Sequence, residues 1–321
     1  MKLNLVQDWI DYDKSLLCQQ DYYLNNGVSI YLLEHPYPVP SLLTNSRAHA
    51  ESVLEVIKAN LADLPEQVRI LDIGSGSGCF GANLLDAAKD AGCLDRLQFI
   101  FSDLSEQAVK ELETSEMLKD FHNHIQFMQV DALAPIKLKD ISVITMNYVY
   151  DALPMLPVNN GQKMQVKLLE PVEAEPNPFP MQNLVLESRW QDYDPEDEVQ
   201  KKYHKYLEND LYFNYKAIEM TDKLSQLLCP NGFIAVAEMI ESKSKLAFDL
   251  YGNTCAHAVS EMPIIRAMEA QGMEALLAKD SQLMRIFFFN NPETKTKLKD
   301  LLYQEFNQTT RTDKLLQGLQ N

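Results

Sequence analysis

The sequence is an acidic chain of 321 residues with a hydrophobic content of 46%, which is enough to bury a substantial core. Its 46 acidic and 29 basic residues give a formal net charge of -17, and no Lys or Arg cluster stands out that would attract a phosphate backbone. We therefore expect no nucleic-acid substrate. No stretch approaches the roughly 20 apolar residues of a membrane span, and the first residues lack a secretory or transit pattern. We expect a soluble, cytoplasmic protein that does not enter a membrane.

The five cysteines are widely scattered and include no Cys-x-x-Cys pair. Neither a zinc knuckle nor a disulfide framework has this spacing. We expect reduced thiols and no bound metal.

Residues 1-65 are expected to form a helical prefix to the main fold. A helical apolar pattern runs from Leu5 to Tyr23, and the proline-rich segment 35-40 interrupts it. Ser41 is placed to cap a second helix that ends near Pro65. Such a prefix can close over a ligand pocket, although a helix that only covers the sheet explains the pattern equally well.

A glycine-rich turn follows the apolar run Val68-Arg-Ile-Leu-Asp-Ile73. The near-continuous hydrophobicity of this run is typical of a parallel strand that is buried on both faces. Glycines at positions 74, 76 and 78 permit the backbone angles and the close approach that a strand-to-helix turn needs. A helix over about 77-90 comes next, so we expect a ligand to bind at the turn.

Strands and helices alternate after the turn, as in a doubly wound α/β sheet. The apolar runs predict strands at 97-101, 125-130 and 141-146, with a helix at 105-119. The core resumes with a strand at 232-238, a helix at 260-271 and closing strands at 275-278 and 284-289.

An insertion separates the two parts of this core. Prolines cluster around two short strand-like runs at 164-169 and 184-187, and a tyrosine-rich helical stretch follows from Glu196 to Leu228. We expect the insertion to select the substrate. The predicted layout is a prefix of residues 1-65, a core of 66-153 and 229-291, an insertion of 154-228 and a polar helical tail of 292-321.

Three carboxylates are expected at the carboxyl edge of the sheet, because each stands at the end of a predicted strand. Burying Asp72, just before the first glycine, is costly unless it meets backbone amides or a cationic ligand group. Asp103 is placed to accept both hydroxyl groups of a ribose, and Asp131 with the small Ala132 is placed to meet an adenine amino group. Each carboxylate alone could merely cap a turn, but together they predict one crevice.

Four motifs resemble those of the class I S-adenosylmethionine-dependent methyltransferases. They are Leu71-Asp-Ile-Gly-Ser-Gly-Ser-Gly78, Phe101-Ser-Asp-Leu-Ser105, Val130-Asp-Ala132 and Leu228-Cys-Pro-Asn-Gly-Phe-Ile234. The resemblance covers about residues 66-290 and implies a Rossmann-like, seven-stranded sheet with a reversed terminal hairpin. A dinucleotide oxidoreductase fits less well, because the glycines do not follow the Gly-x-Gly-x-x-Gly spacing.

The same resemblance implies S-adenosylmethionine as the cofactor and assigns residues to each of its parts. The methionine part would lie near Asp72 and the glycine turn, and the ribose would lie on Asp103. The residues implied in cofactor binding are Asp72, Gly74, Ser75, Gly76, Gly78, Asp103, Leu104, Asp131, Ala132 and Asn147.

The segment after the fourth predicted strand resembles one particular family within this class. Asn147, Asp151, Ala152, Leu153 and Pro154 are similar to the Asn-Glu-x-x-Asp-Ala-Leu-Pro motif of the MidA family, whose mitochondrial members methylate a respiratory complex I subunit on arginine. Tyr148 replaces the glutamate of that motif. Methyl transfer depends mainly on positioning, so we expect Asp151 to orient the acceptor, together with Asn147 and an aromatic wall that includes Tyr150.

Several functions remain open from the sequence. The MidA resemblance implies a protein acceptor, most simply arginine, and the acidic chain suits a basic partner. A small-molecule O- or N-methyltransferase is the first alternative, and a binding or assembly protein that keeps the fold without catalysis is the second. His257 is a candidate base for a hydroxyl acceptor, although a structural role explains a lone histidine more often.

Overall fold

The computed structural model describes residues 2–19, 24, 44–172, 180–195, 197–208, 211–239, 248–251, 254–279 and 283–307. Two compact units make up the chain: a smaller unit of residues 1–24, 150–221 and 241–267, and a larger unit of residues 25–149, 222–240 and 268–321. Within the described ranges, none of the helices has both the length and the apolar character needed to cross a membrane.

The strands and helices are numbered in chain order. The strands are β1 (Leu3–Asp11), β2 (Val68–Ile73), β3 (Leu97–Asp103), β4 (Ile125–Gln129), β5 (Ile141–Asn147), β6 (Leu156–Asn159), β7 (Gln162–Pro171), β8 (Val185–Asp192), β9 (Tyr212–Phe213), β10 (Leu228–Met239), β11 (Phe248–Tyr251), β12 (Thr254–His257), β13 (Glu274–Lys279) and β14 (Leu283–Phe289). The helices are α1 (Arg47–Asn60), α2 (Cys79–Asp90), α3 (Glu106–Glu113), α4 (Glu198–Tyr203), α5 (Tyr215–Ser225), α6 (Glu261–Glu269) and α7 (Pro292–Asn307).

The larger unit is built on a seven-stranded sheet with the order β13-β14-β10-β5-β2-β3-β4. The five strands from β10 to β4 are parallel, and β14 runs antiparallel to both of its neighbours. This confirms the doubly wound, seven-stranded sheet and its reversed terminal hairpin. The strand order reverses direction between β2 and β5, which is where ligands bind in open α/β sheets.

Apolar strands and amphipathic helices explain why this core forms. All residues of β2 except Arg69 are buried, as expected for a parallel strand that is covered on both faces. One buried cluster joins side chains of α1 and α2 to the sheet and to Leu298 of α7. Leu298 therefore packs the predicted polar tail against the core.

The smaller unit contains an antiparallel sheet in which β1, β7, β6 and β9 are neighbours and β8 pairs with β7; β11 and β12 form a separate hairpin. The helix predicted from Leu5 to Tyr23 is wrong at its start, because β1 is a strand that pairs antiparallel with β7. Pairing with a partner so distant in sequence is not visible in a local apolar pattern, and here it outweighs that pattern.

The second helix of the predicted prefix does exist as α1. Its described cap is Ser46, whose Oγ accepts the backbone N–H of His49 at 3.1 Å. Ser41 and the proline-rich segment 35–40 lie outside the described residues, so the start predicted at Ser41 is not tested.

The tyrosine-rich stretch is not one helix. It is divided into α4, a short 3-10 turn, β9 and α5, and Tyr212 lies in β9, where the strand pairs with Leu156 and Pro157 of β6. The predicted helix at 105-119 is also shorter, because α3 ends at Glu113 and a 3-10 segment follows from Glu116 to Phe121. In both places the amphipathic pattern indicated helical turns but not where one helix ends and the next begins.

Candidate functional site

The glycine turn connects β2 to α2 and depends on residues without a side chain. Gly74, Gly76 and Gly78 have φ angles of 67°, 51° and 75°, in the left-handed region that favours glycine. A Cβ atom on Gly78 would lie 2.6 Å from Leu112 Cδ2, and one on Gly74 would lie 3.1 Å from Val149 Cγ2. The turn therefore combines backbone angles and close contacts that exclude larger residues.

Serine side chains tie the turn to the end of β3. The Ser75 N–H donates to the Ser102 carbonyl at 2.8 Å, and the Ser102 N–H donates back to Ser75 Oγ at 3.0 Å. The Ser102 hydroxyl in turn donates to the Asp72 carbonyl at 2.6 Å. The Ser75 side chain is thus engaged by main-chain groups, and its predicted contact with a cofactor stays a prediction.

Asp103 ends β3 and holds the turn from the other side. Its carboxylate is buried and accepts the backbone N–H of Gly76 at 3.1 Å and that of Ser105 at 3.0 Å. Burial raises the pKa of this carboxyl group, and the backbone N–H donors oppose that rise. The two bonds fix the direction in which the remaining lone pairs of the carboxylate point.

Asp72 is the second buried carboxyl group at this edge. It is 2% exposed, and its Oδ1 accepts the Thr145 hydroxyl at 2.6 Å across the β2–β5 pair. Burial raises the pKa of Asp72 to about 7, the bond from Thr145 opposes the rise, and the charge of Asp103 adds to it. Near neutral pH this group can therefore gain or lose a proton.

The raised pKa of Asp72 predicts a pH dependence of stability. The folded group has a pKa of about 7 and the unfolded group one near 3.8, so the folded state binds an extra proton between these values and the free energy of unfolding falls as pH rises from about 4 to about 7. Asp72→Asn removes this proton and keeps an oxygen for Thr145. We expect the free energy of unfolding of the variant to fall less steeply with pH than that of the wild type. Between pH 5 and pH 8, the stability of the variant relative to the wild type should rise by on the order of a few kcal/mol.

Urea unfolding at several pH values measures this effect. Asp131→Asn serves as the control, because Asp131 is an exposed carboxylate at the same edge of the sheet. An Asp72→Asn protein with the slope of the wild type would show that Asp72 is ionised throughout this range.

The residues predicted to meet the adenine follow β3 and β4. Asp131 is exposed, and its Oδ1 accepts the Leu133 N–H at 2.9 Å, so it caps the turn after β4. Leu104 is half-buried, and Ala132 is 9% exposed. The Val130 N–H bonds the Asp103 carbonyl at 2.9 Å, which places this segment beside the end of β3. The adenine contact itself stays a prediction.

Asn147 ends β5 and begins a loop that β10 holds in place. Its Oδ1 lies 3.0 Å from His49 Nε2 of α1. Tyr148 has a positive φ of 53°, and its N–H donates to the Ala237 carbonyl at 3.0 Å. The Val149 N–H donates to Glu238 Oε1 at 2.9 Å. These bonds fix the course of the loop next to the glycine turn.

Tyr150 belongs to the core of the smaller unit. It is fully buried, and its hydroxyl lies 2.6 Å from Thr221 Oγ1. The predicted contribution of Tyr150 to an aromatic wall beside the acceptor stays a prediction.

Asp151 and His257 are neighbours in the smaller unit. The backbone N–H of His257 donates to the backbone carbonyl of Asp151 at 2.7 Å. The ring nitrogen Nδ1 of His257 lies 3.2 Å from the Tyr12 hydroxyl. Burial lowers the pKa of His257 to about 4, so the ring is neutral at pH 7. Asp151 is half-buried, and desolvation raises the pKa of its carboxyl group to about 7.

The sequence interpretation missed polar residues that organise this edge. Thr145, Ser102 and Glu238 are buried side chains that hold Asp72, the glycine turn and the loop after β5. The sequence does mark these three residues, since each is a polar residue within an apolar strand. His49 gave a similar signal as a lone histidine on the apolar face of α1. Among the described residues, no three His, Cys, Asp or Glu side chains form a metal-binding group.

Two solved structures share the fold of this chain. A COG1565 superfamily member from Burkholderia thailandensis, bound to S-adenosyl-homocysteine, aligns at 13% identity with a TM-score of 0.57 over 88% of this chain and 88% of its own. A native structure of a COG1565 superfamily protein from the same organism aligns at 13% identity with a TM-score of 0.56 over 88% of this chain and 87% of its own. At this identity the likeness shows the fold alone.

Sequence comparison supplies the family. No curated protein matches the chain. Residues 50–237, more than half of the chain, match a family model of S-adenosyl-L-methionine-dependent methyltransferases. The matched segment contains the glycine turn, Asp72, Asp103 and Asn147. The chain therefore belongs to this family and is an S-adenosylmethionine-dependent methyltransferase.

Proposed function

We propose that S-adenosylmethionine binds along the carboxyl edge of β2, β3 and β4. The observation that carries this site is the pair of buried carboxyl groups, Asp72 and Asp103, on either side of the glycine turn. At its methionine end the cofactor carries an ammonium group and a sulfonium as well as a carboxylate, and its ribose carries two hydroxyl groups. The ammonium, the sulfonium and the hydroxyl groups suit hydrogen-bond acceptors at a sheet edge. When bound, it supplies an electrophilic methyl group.

Asp103 is proposed to bind the ribose. Two of its lone-pair sites accept the Gly76 and Ser105 N–H groups, and a carboxylate offers about four such sites. The remaining sites are held in a fixed direction, so little ordering is needed when the ribose hydroxyls arrive. Leu104, Asp131 and Ala132 are proposed to lie beside the adenine, and the turn of Gly74, Ser75, Gly76 and Gly78 beside the methionine part.

Asp151 is proposed to receive the proton that the acceptor loses. A catalytic base works best when its pKa lies near the working pH, and the pKa of Asp151 is raised to about 7 by burial. Its main-chain carbonyl is anchored by the N–H of His257, which stabilises the local backbone. The enzyme would otherwise work by aligning the acceptor nucleophile in line with the methyl group.

The acceptor is proposed to be a protein arginine side chain. The similarity of Asn147, Asp151, Ala152, Leu153 and Pro154 to the MidA motif supports this choice. A guanidinium group pairs well with a carboxylate, and the net charge of -17 suits a basic protein partner.

A small-molecule acceptor is the second candidate. Tyr148 stands where the MidA motif has glutamate, so one of the two motif carboxylates that could pair with a guanidinium is missing. A neutral hydroxyl or amine acceptor needs only one base. Incubation with isotope-labelled S-adenosylmethionine, followed by separate counting of an arginine-rich peptide library and of a small-molecule extract, distinguishes the two candidates.

Replacing Asp151 tests its proposed role. We expect Asp151→Asn to bind S-adenosylhomocysteine with wild-type affinity and to transfer the methyl group on the order of 10²-fold more slowly, because the amide cannot take a proton. The rate of the wild type should rise with pH through about 7 as the carboxyl group ionises, and the rate of the variant should not. Undiminished transfer by Asp151→Asn would remove Asp151 from the chemistry.

A further inference from the structure

His49 makes a buried contact with the end of β5 that needs an explanation. The residue lies on the core-facing side of α1, is 3% exposed, and its Nε2 lies 3.0 Å from Asn147 Oδ1. Its other ring nitrogen, Nδ1, is also buried and makes no hydrogen bond within the described part of the chain. Within the described part of the chain, Nε2 is therefore the ring nitrogen of His49 that has a hydrogen-bond partner.

The surroundings of the ring decide which nitrogen carries the proton. Burial and the positive charge of Arg285 lower the pKa of His49 to about 3, so the ring is neutral and has a single N–H. A proton on Nδ1 would leave a buried N–H without an acceptor, in the field of a positive charge. A proton on Nε2 leaves only a bare lone pair at Nδ1, which costs less, and Nε2–H then donates to Asn147 Oδ1.

This tautomer fixes the orientation of the Asn147 amide. Its oxygen is occupied by His49, while its Nδ2 makes no hydrogen bond to any described residue and the side chain is half-buried. Asn147 therefore presents an N–H donor. Had the ring been the acceptor, the same amide would have presented an oxygen.

The donor lies beside the amino-acid end of the proposed cofactor site. Met146 is in register with Ile73, so Asn147 lies level with the start of the glycine turn. Asn147 and Thr145 are two residues apart on β5 and share a face, and the Thr145 hydroxyl bonds the Asp72 carboxyl group. A cofactor carboxylate near Asp72 and Asp103 would be repelled by these groups and would need N–H donors to bind there.

We propose that His49 is a positioning residue, which holds Asn147 so that Nδ2 donates a hydrogen bond to the amino-acid carboxylate of the bound cofactor. This rests on the cofactor site proposed above. Neither residue needs to contact the methyl acceptor. His49 acts only through Asn147, and its own nitrogen atoms stay in the core.

A double-mutant cycle on S-adenosylhomocysteine binding tests the coupling. We expect His49→Phe and Asn147→Leu each to weaken binding about tenfold or more, because a hydrogen bond to a charged group is lost. The double variant should be no weaker than Asn147→Leu alone. His49→Gln, which keeps an N–H donor of similar reach, should recover part of the affinity that His49→Phe loses. If His49→Phe weakens S-adenosylhomocysteine binding by the same factor in the wild type and in Asn147→Leu, the proposal is overturned and His49 is a packing residue.

Nitrogen NMR of the wild-type protein labelled at histidine tests the tautomer without any variant. The proposal requires a protonated Nε2 and an unprotonated Nδ1 for His49, with neither signal moving between pH 6 and pH 8. A protonated Nδ1 would overturn it, since Asn147 would then present its oxygen. If the folded wild type does not bind S-adenosylhomocysteine at all, the proposed cofactor site is itself wrong; if it binds and the cycle shows no coupling, only the role of His49 is wrong.

Discussion

Asp103→Ala is expected to weaken the binding of S-adenosylmethionine and S-adenosylhomocysteine by about 10- to 100-fold. The carboxylate is the proposed acceptor for the ribose hydroxyls, and a hydrogen bond to a charged group contributes about 1.5–3 kcal/mol. The substitution also removes the partners of the Gly76 and Ser105 N–H groups, so the glycine turn loses its anchor on β3. Both effects act on the same site and have the same sign.

Two further variants separate these effects in isothermal titration calorimetry. Asp103→Asn keeps one oxygen for a backbone N–H and loses the charge, so we expect an intermediate affinity. Asp131→Ala removes an exposed carboxylate that bonds only the Leu133 N–H among the described residues, and we expect a smaller loss than for Asp103→Ala. Wild-type affinity in Asp103→Ala would place the ribose elsewhere.

Gly78→Ala is expected to destabilise the fold by about 2–5 kcal/mol. The φ angle of 75° costs an alanine about 1–2 kcal/mol, and the new Cβ atom would lie 2.6 Å from Leu112 Cδ2 in a filled core, which adds about 1–3 kcal/mol. Leu112 is 2% exposed and has little room to move away. We also expect weaker cofactor binding, because Gly78 is the N-cap residue of α2 at the turn.

Gly92→Ala is the matched control for this prediction. Gly92 has a similar φ of 68°, but a Cβ atom there would meet nothing within 4 Å. We expect this variant to be destabilised only by the backbone strain of the alanine, by about 1–2 kcal/mol. Urea unfolding of both variants measures the difference, and equal losses would show that the contact between α2 and α3 at Gly78 is looser than the structure indicates.

The parallel core was predictable because its signals are local. Near-continuous apolar strands such as β2 and β5, each followed by a polar or glycine-rich turn, give the order of the elements. The ends of parallel strands meet at one edge, which brings Asp72 and Asp103 to the glycine turn without knowledge of any contact. The same logic found Asn147, since it ends β5.

Other features depend on contacts between distant parts of the chain. β1 is a strand because it pairs with β7 about 160 residues later, and a local pattern carries no record of that partner. The burial of Tyr150 and its bond to Thr221 follow from packing within the smaller unit. The contact of His49 with Asn147 likewise joins α1 to β5 across 98 positions.

Calorimetric titration of the wild-type protein with S-adenosylhomocysteine is the most direct test of the proposed cofactor site. We expect saturable binding at one site per chain, with an affinity that Asp103→Ala reduces and Asp131→Ala changes much less. We also expect methyl transfer from S-adenosylmethionine, which a binding or assembly protein with this fold would not perform. A folded wild-type protein that binds neither S-adenosylhomocysteine nor S-adenosylmethionine would contradict the cofactor site on the carboxyl edge of β2, β3 and β4.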